Sequence, residues 1–384
     1  MNPDILGNLS QFIPKKNLAQ VAKSTKYARD FLLGGNIDID SPSVCESFTK
    51  EDFEILIKRN LDRQKLFKCV VDQGLNKYVK IMLNEKRKEY QINPGINMNL
   101  AIRTAAELGY YEIVELLLED PRVNPSDYEN NAINLAIAYG HHNIVNIMLK
   151  SNRLDPKVGY NLLAKLASSN ATPVQIKLAL KRGIDPGYNN SEAFIRAALN
   201  GNIEVMKVLL ETGKVDPQPA FFPTLMNHKV NTLNFLLDNN LVDSTVNNSI
   251  ALYDALDFFD EKILEILLKD GRLDPRIGNN RLFMLASKSS FSSREKVIAL
   301  LKDGRADPSY LNNYLINWAA KKGYSDIVKL LLKDNRVDPT AKNNRAIKSA
   351  NNKDIIKLLS PHPKIKHPQT PDLKILKYII HSMN

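Results

Sequence analysis

Six histidines and two cysteines are the residues of this 384-residue chain best suited to metal or nucleophilic chemistry. Their spacing assembles neither. His141 and His142 are adjacent, His228 stands alone, and His362, His367 and His381 fall in the C-terminal stretch, the first two without a nearby carboxylate partner. Ligand-spacing rules therefore point to no metal site. Cys45 and Cys69 form no ligand pair and no disulfide framework, and read as two thiols of a reducing compartment. No Gly-rich phosphate loop, His-Glu-x-x-His, Cys-x-x-Cys or Gly-x-Ser-x-Gly occurs. Carboxylates are spread as helix-surface charges. No catalytic constellation is visible, so an enzyme, a metal and a cofactor are not expected. What remains are aromatic side chains. Tyr128, Tyr160, Tyr188 and Tyr310 each lie two to four residues after a proline. Aromatics are favoured anchors of protein contact.

Those prolines belong to a marker, an aliphatic residue followed by Asp or Asn and then Pro. It recurs at Pro94, Pro125, Pro156, Pro186, Pro217, Pro275, Pro308 and Pro339, with Ser244 filling the place between Pro217 and Pro275. Eleven residues after the marker stands Ala105, Ala136, Ala167, Ala197, Ala255, Ala286, Ala319 or Ala350; the exception is His228. Gly109, Gly140, Gly201 and Gly323 follow four residues later in four units. An aliphatic start to a second apolar run comes next, as in Ile113-Val114, Ile144-Val145 and Ile327-Val328.

Each unit reads as two helices. Ala132, Ile133, Ala136 and Ile137 fall at helical spacing before Gly140, and Ile144, Val145, Met148 and Leu149 repeat it after. Glycine enters a positive-φ turn without steric penalty. Asn152, Gly213, Gly271, Gly304 and Asn335, four residues before a marker, suit the left-handed position that ends a helix. The Asp-Pro that follows cannot continue it. Asn pairs, at 130–131, 279–280, 312–313 and 343–344, suit a turn and an N-cap before the next helix. The small alanine lets neighbouring helices approach. One such pair cannot bury its apolar faces alone, and stacking pairs does.

Helix–turn–helix units with Ala-x-x-x-Gly and then Ile-Val-x-x-Leu-Leu resemble ankyrin repeats. Ala105 to Gly109 with Ile113-Val114 to Leu117-Leu118 is the best match, and Ala319 to Gly323 with Ile327-Val328 to Leu331-Leu332 is close to it. The usual Thr-Pro-Leu-His entry is replaced by Asn-rich segments. The period is about 31 rather than ~33 residues, which suggests tight turns between pairs. The resemblance implies an all-α solenoid of about nine to ten units over residues 63–360, working by protein contact, either on the concave face or on the turn side. Ankyrin units often carry a histidine after the turn glycine, so His141-His142 reads as structural. The unit from Pro217 to Ser244 is four residues short. It reads as a decayed repeat or as a kink exposing Phe221 and Phe222 as a contact point.

The first forty residues lie outside the repeat. Ile5, Leu6, Leu9 and Ile13 share one helical face, and Asn17 can cap a second helix carrying Leu18, Val21 and Ala22. The order Pro3-Asp4-Ile5-Leu6, then Pro14-Lys15-Lys16-Asn17-Leu18, resembles an F-box, with Asn2 where a leucine is usual. That resemblance implies docking on the adaptor subunit of a cullin-type ubiquitin ligase through Pro3, Ile5, Leu6, Leu9, Ile13 and Leu18. The other reading of the segment is a helical cap on the first repeat. Residues 41–62 read as a linker and helix. F-box and ankyrin chains with these markers resemble proteins of large DNA viruses of amoebae, which implies the host cytoplasm.

The charge of +11 raises nucleic acid as a partner. From Thr340 onward nine basic residues face two acidic ones, a surplus of seven that leaves +4 for everything before. That body has no evident basic stripe, so nucleic-acid binding is not expected, and the basic tail from 361 is at most a minor contact. No segment approaches the ~20 apolar residues of a membrane span. Met1 to Phe12 lacks a secretion signal, so an intracellular protein is expected.

Overall fold

The computed structural model describes residues 63–158, 162–246, 250–257, 261–289 and 292–360. Among them there are helices and no strand. The chain divides into two compact units, Met1–Val215 and Asp216–Asn384. The first holds five helix pairs: α1 Arg63–Asp72 and α2 Asn76–Leu83, α3 Ile96–Glu107 and α4 Tyr111–Glu119, α5 Asp127–Ala138 and α6 His142–Lys150, α7 Leu162–Ser168 and α8 Pro173–Lys181, α9 Tyr188–Asn200 and α10 Ile203–Leu210. The second holds another five: α11 Phe221–Met226 and α12 Val230–Asp238, α13 Ile250–Asp257 and α14 Glu261–Lys269, α15 Leu282–Lys288 and α16 Ser293–Asp303, α17 Tyr310–Lys322 and α18 Ser325–Leu332, α19 Ala341–Ser349 and α20 Lys353–Leu359. Within each unit, first helices pack on first helices and second on second, as in α3 on α5 and α4 on α6.

The expected alanines do the packing assigned to them. Ala105, Ala136, Ala167, Ala197, Ala255, Ala286 and Ala319 are buried, and only Ala350, at the last pair, is half-exposed. Without a bulky side chain, successive first helices close up and exclude water along their shared face. The turn glycine is equally constrained. Gly109 has φ +80°, and a Cβ there would meet the His141 ring at 2.7 Å. His141 uses the same place to bring Nε2 to 2.9 Å from the Glu107 carbonyl oxygen of the preceding turn. Cys69 is buried on α1, and Cys45 lies outside the described residues.

The Asn-rich entries are not N-caps. At five first helices a run of three residues takes left-handed φ between 50° and 62°: Asn97 to Asn99, Tyr128 to Asn130, Asn189 to Ser191, Leu311 to Asn313 and Lys342 to Asn344. The preceding residues make no side-chain cap bond. Left-handed backbone costs a non-glycine residue roughly 1–2 kcal/mol, less for Asn, whose amide bonds locally. In three of the five the amide of the last residue bonds instead to the next marker loop. Asn99 Oδ1 accepts from the Asn124 amide at 2.8 Å, and Asn313 Oδ1 from the Asp338 amide at 2.7 Å. Asn130 donates to the Asp155 carbonyl at 2.9 Å. Each loop is thereby tied to its neighbour through a buried polar side chain, which offsets the backbone cost.

The short unit shows what happens when the run is missing. Lys229 N bonds Thr224 O at 3.1 Å, as Tyr110 N bonds Ala105 O at 2.9 Å. His228, with φ +54°, therefore holds the place of the turn glycine, and Thr224, fully buried, holds that of the alanine. The four absent residues belong to the left-handed entry, which a 3-10 turn, Gln218–Ala220, replaces. Gln218 still makes the inter-loop tie, accepting from Asp243 N at 2.6 Å and donating to Asp243 O at 3.1 Å. Gln64 does the same with Asn93 at 2.9 and 3.0 Å.

Candidate partner-binding surface

The left-handed runs turn side chains outward before each first helix begins. A residue there has its carbonyl and amide committed to the turn, and its side chain projects away from the packed pairs. In the first unit Met98 is 58% exposed, Tyr128 55% and Tyr188 47%. In the second unit Leu311, which occupies the place of Tyr128, is 45% exposed. Met98, Tyr128 and Leu311 lie within left-handed runs and Tyr188 just before one, and large apolar side chains recurring at such an entry are the raw material of a contact surface. Tyr128 is also oriented: the Arg103 guanidinium lies 5.1 Å from its ring centroid. That contact holds the ring upright and leaves its other face to solvent.

The remaining expected residues are placed differently. Tyr310 is half-buried at the start of α17. Tyr160, and Pro3, Ile5, Leu6, Leu9, Ile13 and Leu18, lie outside the described residues. The expectation that Phe221 is exposed is corrected: it has 0% exposure and is one of the largest fully buried side chains. Phe222 is half-buried against it, edge to face at 5.1 Å between ring centroids. The physical reason is the missing entry. Without the left-handed run, the 3-10 turn leads directly into α11 and carries Phe221 into the core.

An arginine series went unread in the sequence. Arg122, Arg153, Arg272, Arg305 and Arg336 each stand three residues before a marker. Each reaches back to carbonyls of the preceding pair. Arg122 donates to Ile92 O at 2.8 Å, Arg153 to Leu118 O at 2.9 Å, and Arg272 to Val242 O at 2.7 Å. Arg305 donates to Leu268 O at 2.9 Å and Leu273 O at 2.8 Å, and Arg336 to Gly304 O at 3.0 Å. A guanidinium at the C-terminal end of a helix satisfies orphan carbonyls and complements the macrodipole. An aspartate two residues earlier orients four of the five: Asp120, Asp270, Asp303 and Asp334. The signal was the spacing Asp-x-Arg ahead of the marker.

These pairs set the local electrostatics. Burial pushes the Asp120 carboxyl up, but hydrogen bonds from the Arg122 side chain and backbone outweigh it and hold the group below the usual carboxylate range. The Arg336 hydrogen bond holds Asp334 low, and Asp334 in turn raises Arg336. The charges are consumed in joining loops, so this edge offers a partner few unpaired ions. Among the described residues no group of three or more His, Cys, Asp or Glu side chains is placed to hold a metal. No described helix is long and apolar enough to cross a membrane.

Comparison with known families agrees with this geometry. A model of three ankyrin-repeat copies matches residues 66–158, and a single-repeat model matches residues 312–344. No curated protein matches the chain. The first match falls in one compact unit and the second in the other. Ankyrin repeats bind protein partners. The described residues form an all-α stack of helix pairs, and the parts that match ankyrin repeats are a protein-interaction module.

Proposed function

We propose that this chain is a substrate receptor: the repeats hold a target protein, and the N-terminal segment docks on the adaptor of a cullin-type ubiquitin ligase. The observation that carries the protein-binding part is the set of exposed side chains at the left-handed turns of the first unit, Met98 and Tyr128 within their runs and Tyr188 just before its own. The ligase part is supported by the residue order Pro3, Ile5, Leu6, Leu9, Ile13 and Leu18. In this reading residues 1–40 dock, 41–62 link, 63–360 hold the target and 361–384 form a basic tail, all in the cytoplasm of a host cell. The chain performs no chemistry of its own. It raises the concentration of the target near a ubiquitin-loaded enzyme, an effect of proximity that reaches 10²–10⁴-fold in linked systems.

The test is a capture from cell extract with the intact chain and with an Ile5→Ala, Leu6→Ala, Leu9→Ala variant, followed by detection of the adaptor. The expected result is adaptor on the intact chain and none on the variant, with unchanged helical circular dichroism in both. Adaptor absent from both samples leaves a binding scaffold with no ligase link.

A further inference from the structure

Three successive first-helix segments of the second unit carry no carboxylate. They are residues 276–288, 309–323 and 340–349. Together they hold Arg276, Arg281, Lys288, Lys321, Lys322, Lys342, Arg345 and Lys348, all exposed. Arg276 is paired with Asp274 at 2.9 Å. The other seven take part in no ion pair among the described residues. The acids of this region sit elsewhere: Glu295 and Asp303 on α16, Asp326 on α18 and Asp354 on α20, all second helices, and Asp274, Asp307, Asp334 and Asp338 in the marker loops. On the helices themselves the charge is therefore sorted by position.

Helical spacing gathers five of these cations on one face. Arg281, Met284 and Lys288 stand at i, i+3 and i+7 of α15 and its lead-in. Tyr314, Asn317 and Lys321 take the same three places on α17, and Arg345 and Lys348 the first two on α19. The three helices are neighbours, and the Ser287 hydroxyl donates to the Tyr314 hydroxyl across α15 and α17 at 3.3 Å. Between the cations lie Leu311, exposed, and Met284 and Tyr314, half-buried. Packed helix axes are about 8–10 Å apart, which an extended chain covers in about three residues. A strand that runs obliquely over the three helices meets Lys288 on α15, Lys321 on α17 and Lys348 on α19, about three residues apart.

We propose that this face binds an acidic segment of a protein partner, extended across α15, α17 and α19, with carboxylates about three residues apart and apolar residues between them. This rests on the protein-binding reading above and names the chemistry of the partner. A peptide fits better than nucleic acid because the face offers the apolar Met284 and Leu311 and, among its described residues, no exposed aromatic ring. The ring of Tyr314 is half-buried and offers no exposed stacking platform.

The test uses the full chain and fluorescence anisotropy with a fluorescein-labelled peptide of repeated Glu-Ser-Leu triplets at low salt. One variant carries Lys321→Glu, Arg345→Glu and Lys348→Glu. A second carries Lys302→Glu, Lys329→Glu and Lys333→Glu on or just after the second helices, with the same change in net charge. The expected result is a loss of about tenfold or more in the first variant, little change in the second, and weakening with salt. No binding by the intact chain, or equal loss in both variants, overturns the proposal. So does competition by a single-stranded oligonucleotide at equal or lower concentration than unlabelled peptide. If the peptide fails while a probe at Tyr128 still crosslinks a protein, the acidic-partner proposal falls and the protein-binding reading stands.

Discussion

Phe221→Ala is expected to destabilise the second unit by about 3–5 kcal/mol, read as a shift in the chemical-denaturation midpoint of that unit. The ring is fully buried, and its neighbour Phe222 leans edge-on against it. Truncation leaves a cavity that α11 cannot close, because the residue before it, Ala220, is itself buried and belongs to a 3-10 turn already fixed by Pro219. Phe222→Ala removes only half-buried surface and is expected to cost about 1–2 kcal/mol. In a repeat array the loss stays local, so unfolding becomes visibly biphasic rather than uniformly shifted. Equal and small effects of the two substitutions would contradict the core assignment of Phe221. Loss of a partner with no loss of stability would restore it as a contact residue.

Arg122→Met tests the loop clamps. Methionine keeps an apolar stem and removes the bonds to Ile92 O and Asp120. The expected cost at neutral pH is about 1–3 kcal/mol, the penalty for buried polar groups left without partners. Its pH dependence gives the sign. In the intact chain Asp120 is held below the usual range, so its contribution is full above the unfolded value of ~3.9 and is lost as pH falls through the lower folded value. In the variant burial acts on Asp120 with only the backbone amide of residue 122, which the substitution keeps, and the more distant Arg153 opposing it. The carboxyl rises, and the penalty for burying it charged fades on acidification. The stability gap between the two chains should therefore be widest near neutral pH and narrow toward pH ~3.5. A gap that does not change with pH would mean that Arg122 acts by packing alone.

Much of this architecture was legible because the repeat is written in residue types with one physical job each. Alanine at the helix contact, glycine at the turn and proline at the marker each leave little choice. The Asn-rich entry was only half legible. Asn signals a turn, but whether its amide caps a helix or crosses to the next loop depends on a neighbour about 25 residues away, as Asn99 and Asn124 show. Counting from Pro217 put His228 in the alanine place, because a fixed offset cannot see where four residues are missing. The hydrogen bond from Lys229 to Thr224 shows it. The arginine clamps were missed because the register was followed through apolar and turn residues, and a charge surplus was summed rather than phased. The same habit hid the cation face of α15, α17 and α19. Of the expected contact tyrosines, Tyr128 and Tyr188 are exposed on or beside left-handed turns, and Tyr310 is half-buried. At the Tyr310 entry it is Leu311 that sits in the outward-turned run, whereas Tyr188, in the place of Tyr310, is exposed although it precedes its run.

The measurement that reaches the central claim most directly is site-specific photocrosslinking in cell extract, with a benzophenone side chain in place of Tyr128 and, separately, of Glu115 on the second helix α4. The account predicts a discrete protein crosslinked from position 128 and absent from position 115. No protein crosslinked from 128, or the same product from both positions, would contradict the assignment of the left-handed turns as the surface that holds a partner.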